Sequence, residues 1–205
     1  MANILVTGGA GYIGSHTCVE LLTAGHDVVV LDNLSNSSEE SLKRVQELTG
    51  KKLTFIEGDI RNGQALDQLF SLYKIDAVIH FAGLKAVGES QQIPLTYFDN
   101  NIVGSISLVQ AMERAKAFTL VFSSSATVYG EKNPSPYQED MPLSMPNNNY
   151  GYTKLIVEQL LEKLSIADER WSIDLLRYFN PVGAHKSGQI GEDPQGIPNN
   201  LMPFV

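Results

Sequence analysis

Apolar residues fall in short blocks along the chain, and polar or glycine-rich segments separate the blocks. Ile4-Leu5-Val6 is an apolar run that ends in Thr7-Gly8-Gly9-Ala10-Gly11, so it reads as a buried strand closed by a glycine turn. From Tyr12 to Ala24, Ile13, Thr17, Leu21 and Leu22 lie near one face of a helix, which Gly25 closes. Asp27–Asp32 is apolar almost throughout, and a strand without alternation belongs in a parallel sheet covered on both faces. The rhythm then repeats. Helices are predicted over Glu39–Leu48, Ala65–Tyr73, Thr96–Ala115 and Tyr150–Leu164. Strands are predicted over Leu53–Ile56, Ala77–Phe81, Phe118–Phe122 and Ser172–Arg177. This order predicts an α/β fold, a doubly wound parallel sheet made of βαβ units with right-handed crossovers.

Two stretches break the rhythm. Pro134–Asn149 carries four prolines and ends in three asparagines, and long loops of this kind are often functional. Asn180–Asn200 is rich in glycine and proline and reads as a substrate loop or as a linker into a further domain. Composition narrows the classes. The chain has 205 residues, 43% hydrophobic and 19% charged, which is ordinary for a folded domain. Its net charge of −8 argues against bulk nucleic-acid or anionic-membrane binding. One cysteine excludes an internal disulfide and a cysteine-based metal cage, and no metal is expected. No apolar run approaches the roughly 20 residues of a spanning helix, and no signal-peptide pattern opens the chain, so a cytoplasmic location is expected. The apolar ending Leu201–Val205 reads as a cut through a longer protein.

The first chemical signal is Gly8-x-x-Gly11-x-x-Gly14 between a strand and a helix. Gly8 permits the tight turn, Gly11 lets a pyrophosphate approach the backbone, and Gly14 allows close helix–strand packing. The pyrophosphate then sits on the helix N-terminus, as in a Rossmann-type fold. Asp32, 18 residues after Gly14, is placed to accept ribose hydroxyls and to repel a 2′-phosphate, which favours NAD. Asn33 and Asn36 follow as candidate adenosine contacts. Asp59 and Ile60, after the third strand, are candidates for adenine, and Ala82 and Gly83 leave room for the cofactor backbone. Lys85 is the cation nearest the expected pyrophosphate or nicotinamide ribose. His80 reads as a hydrogen-bonded core histidine.

The second signal is Tyr150-x-x-x-Lys154, an i,i+4 pair on one helix face. A neutral phenol is a poor base, and a neighbouring ammonium favours its phenolate. Ser123-Ser124-Ser125 ends the fifth strand on the same edge, and Arg177-Tyr178-Phe179-Asn180-Pro181 projects from the end of the sixth. Asn180 and Asn200 are amide candidates for a sugar or phosphate.

These residues resemble the extended short-chain dehydrogenase/reductase superfamily, and within it the UDP-glucose 4-epimerase family. The likeness runs through Thr7–His16, Phe81–Val87, Ser123–Gly130, Arg177–His185 and Gly191–Leu201. It implies a Rossmann-type domain over residues 1–180 and the start of a substrate-binding region over 181–205, with most of that smaller C-terminal domain absent. It implies NAD held by the glycines with Tyr12, Ile13, Asp32, Asp59 and Lys85, with Phe81, Asn100, Ser123, Tyr178 and Pro181 lining its site. It implies Tyr150 as the base at a sugar 4-hydroxyl, Ser125 as its aligner, and Lys154 as the group that tunes Tyr150 and holds the nicotinamide ribose. Ala126, Thr127, Phe179, Asn180, Asn200 and Leu201, with Lys85, Ser125 and Tyr150, resemble contacts to the UDP-sugar. The implied reaction interconverts UDP-glucose and UDP-galactose through a 4-keto intermediate, in a homodimer. Nucleotide-sugar dehydratases instead carry Asp-Glu where this chain has Ala126-Thr127. A simple NAD-dependent reductase shares the Ser/Tyr/Lys set, and a non-enzymatic NAD-binding protein has no need of it.

Overall fold

The computed structural model describes residues 1–193. Six strands form one parallel sheet: β1 (Asn3–Thr7), β2 (Asp27–Asp32), β3 (Thr54–Glu57), β4 (Ala77–His80), β5 (Thr119–Ser125) and β6 (Ser172–Tyr178). Their spatial order is β3-β2-β1-β4-β5-β6, the doubly wound arrangement of dinucleotide-binding folds, with a crevice between β1 and β4 where the winding reverses. Thr7 pairs with Leu31 on one side and with His80 on the other. The carboxyl ends of the central strands are therefore level, and the loops that follow them share one edge.

The unbroken apolar strands are explained by two cores. Leu5, Val29, Val78, Leu120 and Phe122 face one helical layer, together with Leu108, Met112, Val157 and Leu161. The intervening residues Ile4, Val6, Val28 and Val30 face the other, against Cys18, Leu22, Leu42 and Val45. The layers are α1 (Tyr12–Thr23) and α2 (Glu39–Thr49) on one side, and α3 (Gly63–Leu72), α6 (Gly104–Ala115) and α7 (Asn149–Ala167) on the other. Ser38, Asn62 and Asn148 cap α2, α3 and α7 with their side chains, as their hydrogen-bonding groups favour.

Two predicted elements change. The helix expected over Thr96–Ala115 begins at Pro94 and is not regular. A short α5 (Pro94–Tyr97) runs into a π-helical turn, Phe98–Val103, before α6. Hydropathy does not register that turn. Polar bonds mark it: buried Asn101 lies within it, and Ser105 Oγ donates back to the Asn101 carbonyl at 2.5 Å. A six-residue helix, α4 (Val87–Gln92), lies in a stretch the sequence reading left unassigned, being too short for a periodic signal. Strand β5 also continues through all three serines, because sheet pairing with Leu176–Tyr178 compensates for their low strand propensity.

Residues 181–193 fold back toward the N-terminal half. Tyr12 donates from its hydroxyl to the Gly183 carbonyl, and Ile190 is buried in the core beside α1 and α2. Among the described residues no helix is long and apolar enough to cross a membrane.

Candidate active site

A cavity of about 720 Å³ runs along the carboxyl edge of the sheet. All but one of the site residues predicted from sequence that fall within the described residues line it. Asp32, Asn33, Asn36 and Ile60 stand at one end, the glycine turn lies in the middle, and Ser123, Ser125, Ala126, Thr127, Tyr150, Lys154 and Tyr178 stand at the other. Phe179, Asn180 and Pro181 extend the wall from β6. Asn200 and Leu201 lie outside the described residues.

The glycine turn is shaped by steric necessity. A Cβ on Gly14 would stand 2.3 Å from the Gly8 carbonyl oxygen, and one on Gly8, whose φ is +70°, would stand 2.6 Å from Ala82 N. Gly11 is different: a Cβ there meets only the Gly8 oxygen, at 3.4 Å, and otherwise faces open space. Gly11 is also the N-cap of α1, and no side chain caps that helix. The first-turn N–H groups are thus left for a ligand, and a diphosphate suits them.

Asp32 is buried. Its Oδ2 accepts from Ala10 N at 3.0 Å, and its Oδ1 accepts from Leu34 N at 2.9 Å and from Ser37 Oγ at 2.8 Å. A carboxylate accepts about four hydrogen bonds, so capacity for a ribose hydroxyl remains. Asp59 is the residue that does not reach the cavity. Arg61 takes its carboxylate through Nε and Nη2 at 2.9 and 2.7 Å, and Asn33 adds a third contact at 3.0 Å. The Arg61 hydrogen bond holds the Asp59 carboxyl well below the usual range. In this structure that carboxylate sits in a clamp with Arg61 and Asn33. Lys85 reaches the cavity rim, where Nζ meets Glu192 Oε1 at 3.1 Å.

The Tyr150 end of the cavity is assembled by α4 and α7. Asn148 accepts from Gly151 N at 2.7 Å, and Asn149 and the Tyr150 backbone bond to Ser90 and Gln91 on α4. This fixes the helix start that carries Tyr150. Ser125 Oγ accepts from Thr127 N at 3.3 Å and from Thr127 Oγ1 at 3.0 Å. Ser125 also acts on the neighbouring Tyr150 phenol, favouring its ionised form. Burial pushes the Tyr150 phenol up from its ordinary value, and the Ser125 bond pulls it back only in part. The sequence reading has the ammonium lowering this phenol. Lys154 Nζ instead stands 6.0 Å from the Tyr150 ring centroid and donates to the Ser123 carbonyl at 2.7 Å. Burial lowers Lys154 to about 8, against an upward pull from Glu158.

Other residues were invisible to motif reading. Asn101 accepts from Leu84 N at 2.8 Å and donates to Leu84 O at 2.9 Å and to Thr153 Oγ1 at 3.0 Å, so it ties the β4 loop to α7. The doubled Asn100-Asn101 was its only trace in sequence. Glu89 and Tyr97 line the cavity and share a 2.7 Å hydrogen bond. Arg177, expected to project from the functional edge, turns instead to buried Glu158 on α7. His80 is the core histidine expected, bonded at 2.7 Å to Thr7 Oγ1 and at 2.9 Å to Ser105 Oγ. Tyr152 packs edge-on against Phe98 and is not part of the site.

Comparison with known proteins gives the following matches. The model of the NAD dependent epimerase/dehydratase family matches residues 4–203. A UDP-glucose 4-epimerase of Bacillus subtilis is 63% identical over 98% of this chain and 59% of its own length. One from Dictyostelium discoideum is 58% identical over 98% of this chain and 58% of its own. The crystal structure of the Bifidobacterium longum UDP-glucose 4-epimerase in complex with NAD⁺ and UDP superposes with a TM-score of 0.96 at 50% identity, covering 98% of this chain and 60% of that one. A Stenotrophomonas maltophila UDP-glucose 4-epimerase with bound NAD and formylated UDP-arabinopyranose gives 0.96 at 53% identity, over 100% and 61%. The chain spans about 60% of the length of the relatives it matches.

Proposed function

The chain belongs to the NAD-dependent epimerase/dehydratase family, and from that premise we propose that its site oxidises and re-reduces C4 of a UDP-hexose, interconverting UDP-glucose and UDP-galactose. One observation carries the reading: Ser125, Tyr150 and Lys154 meet at one end of a single cavity whose middle is an uncapped, glycine-walled helix N-terminus. NAD fits these residues. Gly8, Gly11 and Gly14 would leave room for its diphosphate, Asp32 would accept its adenosine ribose hydroxyls, and Lys154 and Tyr178, which line the other end of the cavity, would hold its nicotinamide half. When bound, NAD supplies the hydride acceptor for C4–H and returns the same hydride.

The chain's own groups handle the proton. Tyr150 takes it from the sugar 4-hydroxyl as the C4–H bond breaks, and gives it back when the 4-keto sugar is reduced on its opposite face. Ser125 donates to the phenol oxygen, which stabilises negative charge there and aligns the transfer. Lys154, anchored on Ser123, places a positive charge beside the site. Phe179 and Asn180, on the cavity wall, are the residues to meet the nucleotide-sugar on this reading. The same reading makes residues from 181 onward the start of a substrate-binding region. It carries a cytoplasmic location and a homodimer with it.

The test is conversion of UDP-galactose by the protein with only substoichiometric NAD. Conversion to UDP-glucose without accumulation of NADH is the expected result. Conversion of all the added NAD to NADH, with the reaction stopping there, would instead mark a dehydrogenase.

A further inference from the structure

Helix α7 carries Tyr150, Lys154 and Glu158 at successive i,i+4 positions, so the three share one stripe. The first two belong to the site just described, and Glu158 has no part in it. Glu158 is 2% exposed, and a buried carboxylate is costly unless it is paired. Arg177 on β6 supplies the pair through Nε at 3.1 and 3.3 Å and Nη2 at 3.0 Å. The remaining guanidinium nitrogen donates to Tyr129 Oη at 3.0 Å and to the Glu139 carbonyl at 3.2 Å. Tyr129 closes the 3₁₀ turn that begins after Ser125. One guanidinium thus joins the catalytic helix, the serine turn, the long loop and the strand leading to Tyr178.

The geometry is selective. Glu158 lies one turn from Lys154, yet its oxygens are turned to Arg177 and Lys154 is turned to Ser123. Resting on the reading of Lys154 given above, we propose that Glu158 is a positioning residue for Lys154: its buried charge keeps the ammonium protonated, and Arg177 keeps that charge from drawing the ammonium out of the site. The groups that face Lys154 are few. They are Tyr150 on α7 and His80, held neutral by burial, on β4, with Glu158 one helical turn away on α7 and Arg177 of β6 bonded to it. Lys85 stands at the cavity rim with Glu192. Against that background the two members of the pair act on Lys154 with opposite sign. Removal of the carboxylate leaves the guanidinium to repel the ammonium. Removal of the guanidinium leaves the carboxylate to attract it.

The measurement is the titration of Lys154 itself, read by NMR in protein labelled with ¹³C at the lysine ε-carbons and assigned with a Lys154→Met variant. It needs no turnover, so its outcome is independent of the epimerase assay. Glu158→Gln is expected to lower the midpoint by on the order of one pH unit, and Arg177→Met to raise it by a similar amount. The double variant returns close to the wild-type midpoint. A single variant that leaves the midpoint unmoved, or two that move it in the same direction, overturns the proposal and leaves the pair a packing element only. Should Glu158→Gln fail to fold, Arg177→Lys, which keeps the charge, is expected to titrate like wild type while Arg177→Met titrates higher. Equal midpoints in those two variants overturn it as well.

Discussion

Lys154 Nζ donates to the Ser123 carbonyl at 2.7 Å, and that bond ties the helix carrying Tyr150 to the strand carrying Ser125. The ammonium is therefore held by the sheet rather than by the phenol. In this arrangement Ser125, not Lys154, is the neighbour that favours the ionised Tyr150 phenol. Tyr150→Phe is expected to lower turnover by roughly 10²–10⁴-fold, the range for loss of a general acid–base, while NAD affinity stays within a few-fold of wild type. Ser125→Ala should fall between the two. Steady-state rates beside a cofactor titration check both, and an unchanged rate in Tyr150→Phe contradicts the assignment.

The glycines are predicted to separate by role. Gly14→Ala forces a methyl to 2.3 Å from the Gly8 carbonyl oxygen and 2.7 Å from Gly9 Cα, both backbone atoms. Its thermal stability should drop sharply. Gly11→Ala meets one atom at 3.4 Å and should fold normally, while its methyl occupies the space a diphosphate needs. Melting curves with and without NAD distinguish the two: Gly14→Ala melts early in both, and Gly11→Ala loses only the shift that NAD produces.

Burial holds the His80 imidazole down to about 3, with Lys154 adding to the effect. Its ordinary value is 6.5, so between pH 6.5 and 3 the unfolded chain binds a proton that the folded chain refuses. Stability from this residue is complete above pH 6.5 and is lost as pH falls. The slope corresponds to about 2 kcal/mol between pH 7 and pH 5. Urea unfolding at those two pH values measures it, and His80→Gln should remove that increment.

Asn101 serves Leu84 N, Leu84 O and Thr153 Oγ1 with one side chain. Asn101→Ala leaves the Leu84 N–H and carbonyl without these partners, while Thr153 Oγ1 keeps its bond to the Tyr150 carbonyl, and is expected to cost on the order of 1–3 kcal/mol in urea unfolding. Asn101→Asp keeps the acceptor for Leu84 N, loses both donations and adds a buried charge, so it should cost at least as much.

The sheet was legible because burial on both faces leaves apolar runs such as Val28–Leu31 without alternation, and the glycine spacing located its first turn. The proposed catalytic set was legible in part: Tyr150 and Lys154 share a helical spacing, while only family resemblance singles out Ser125 from the three strand-end serines. What escaped reading depends on contacts distant in sequence. Asp59 looks available until Arg61 and Asn33 fold onto it. Arg177 looks like an edge residue until α7 brings Glu158 to it. The π-helical turn leaves no mark in the apolar pattern, since its bonds run through the polar groups of Asn101 and Ser105.

On the function proposed above, hydride leaves C4 and returns to it within one site, whose residues from Gly11 to Lys154 would hold NAD. It is tested most directly with UDP-galactose deuterated at C4, supplied to the protein in ordinary water with unlabelled NAD in trace amount. The expected product is UDP-glucose that keeps its deuterium at C4, with none passed to solvent. Product that has lost deuterium from C4 to the water would contradict it.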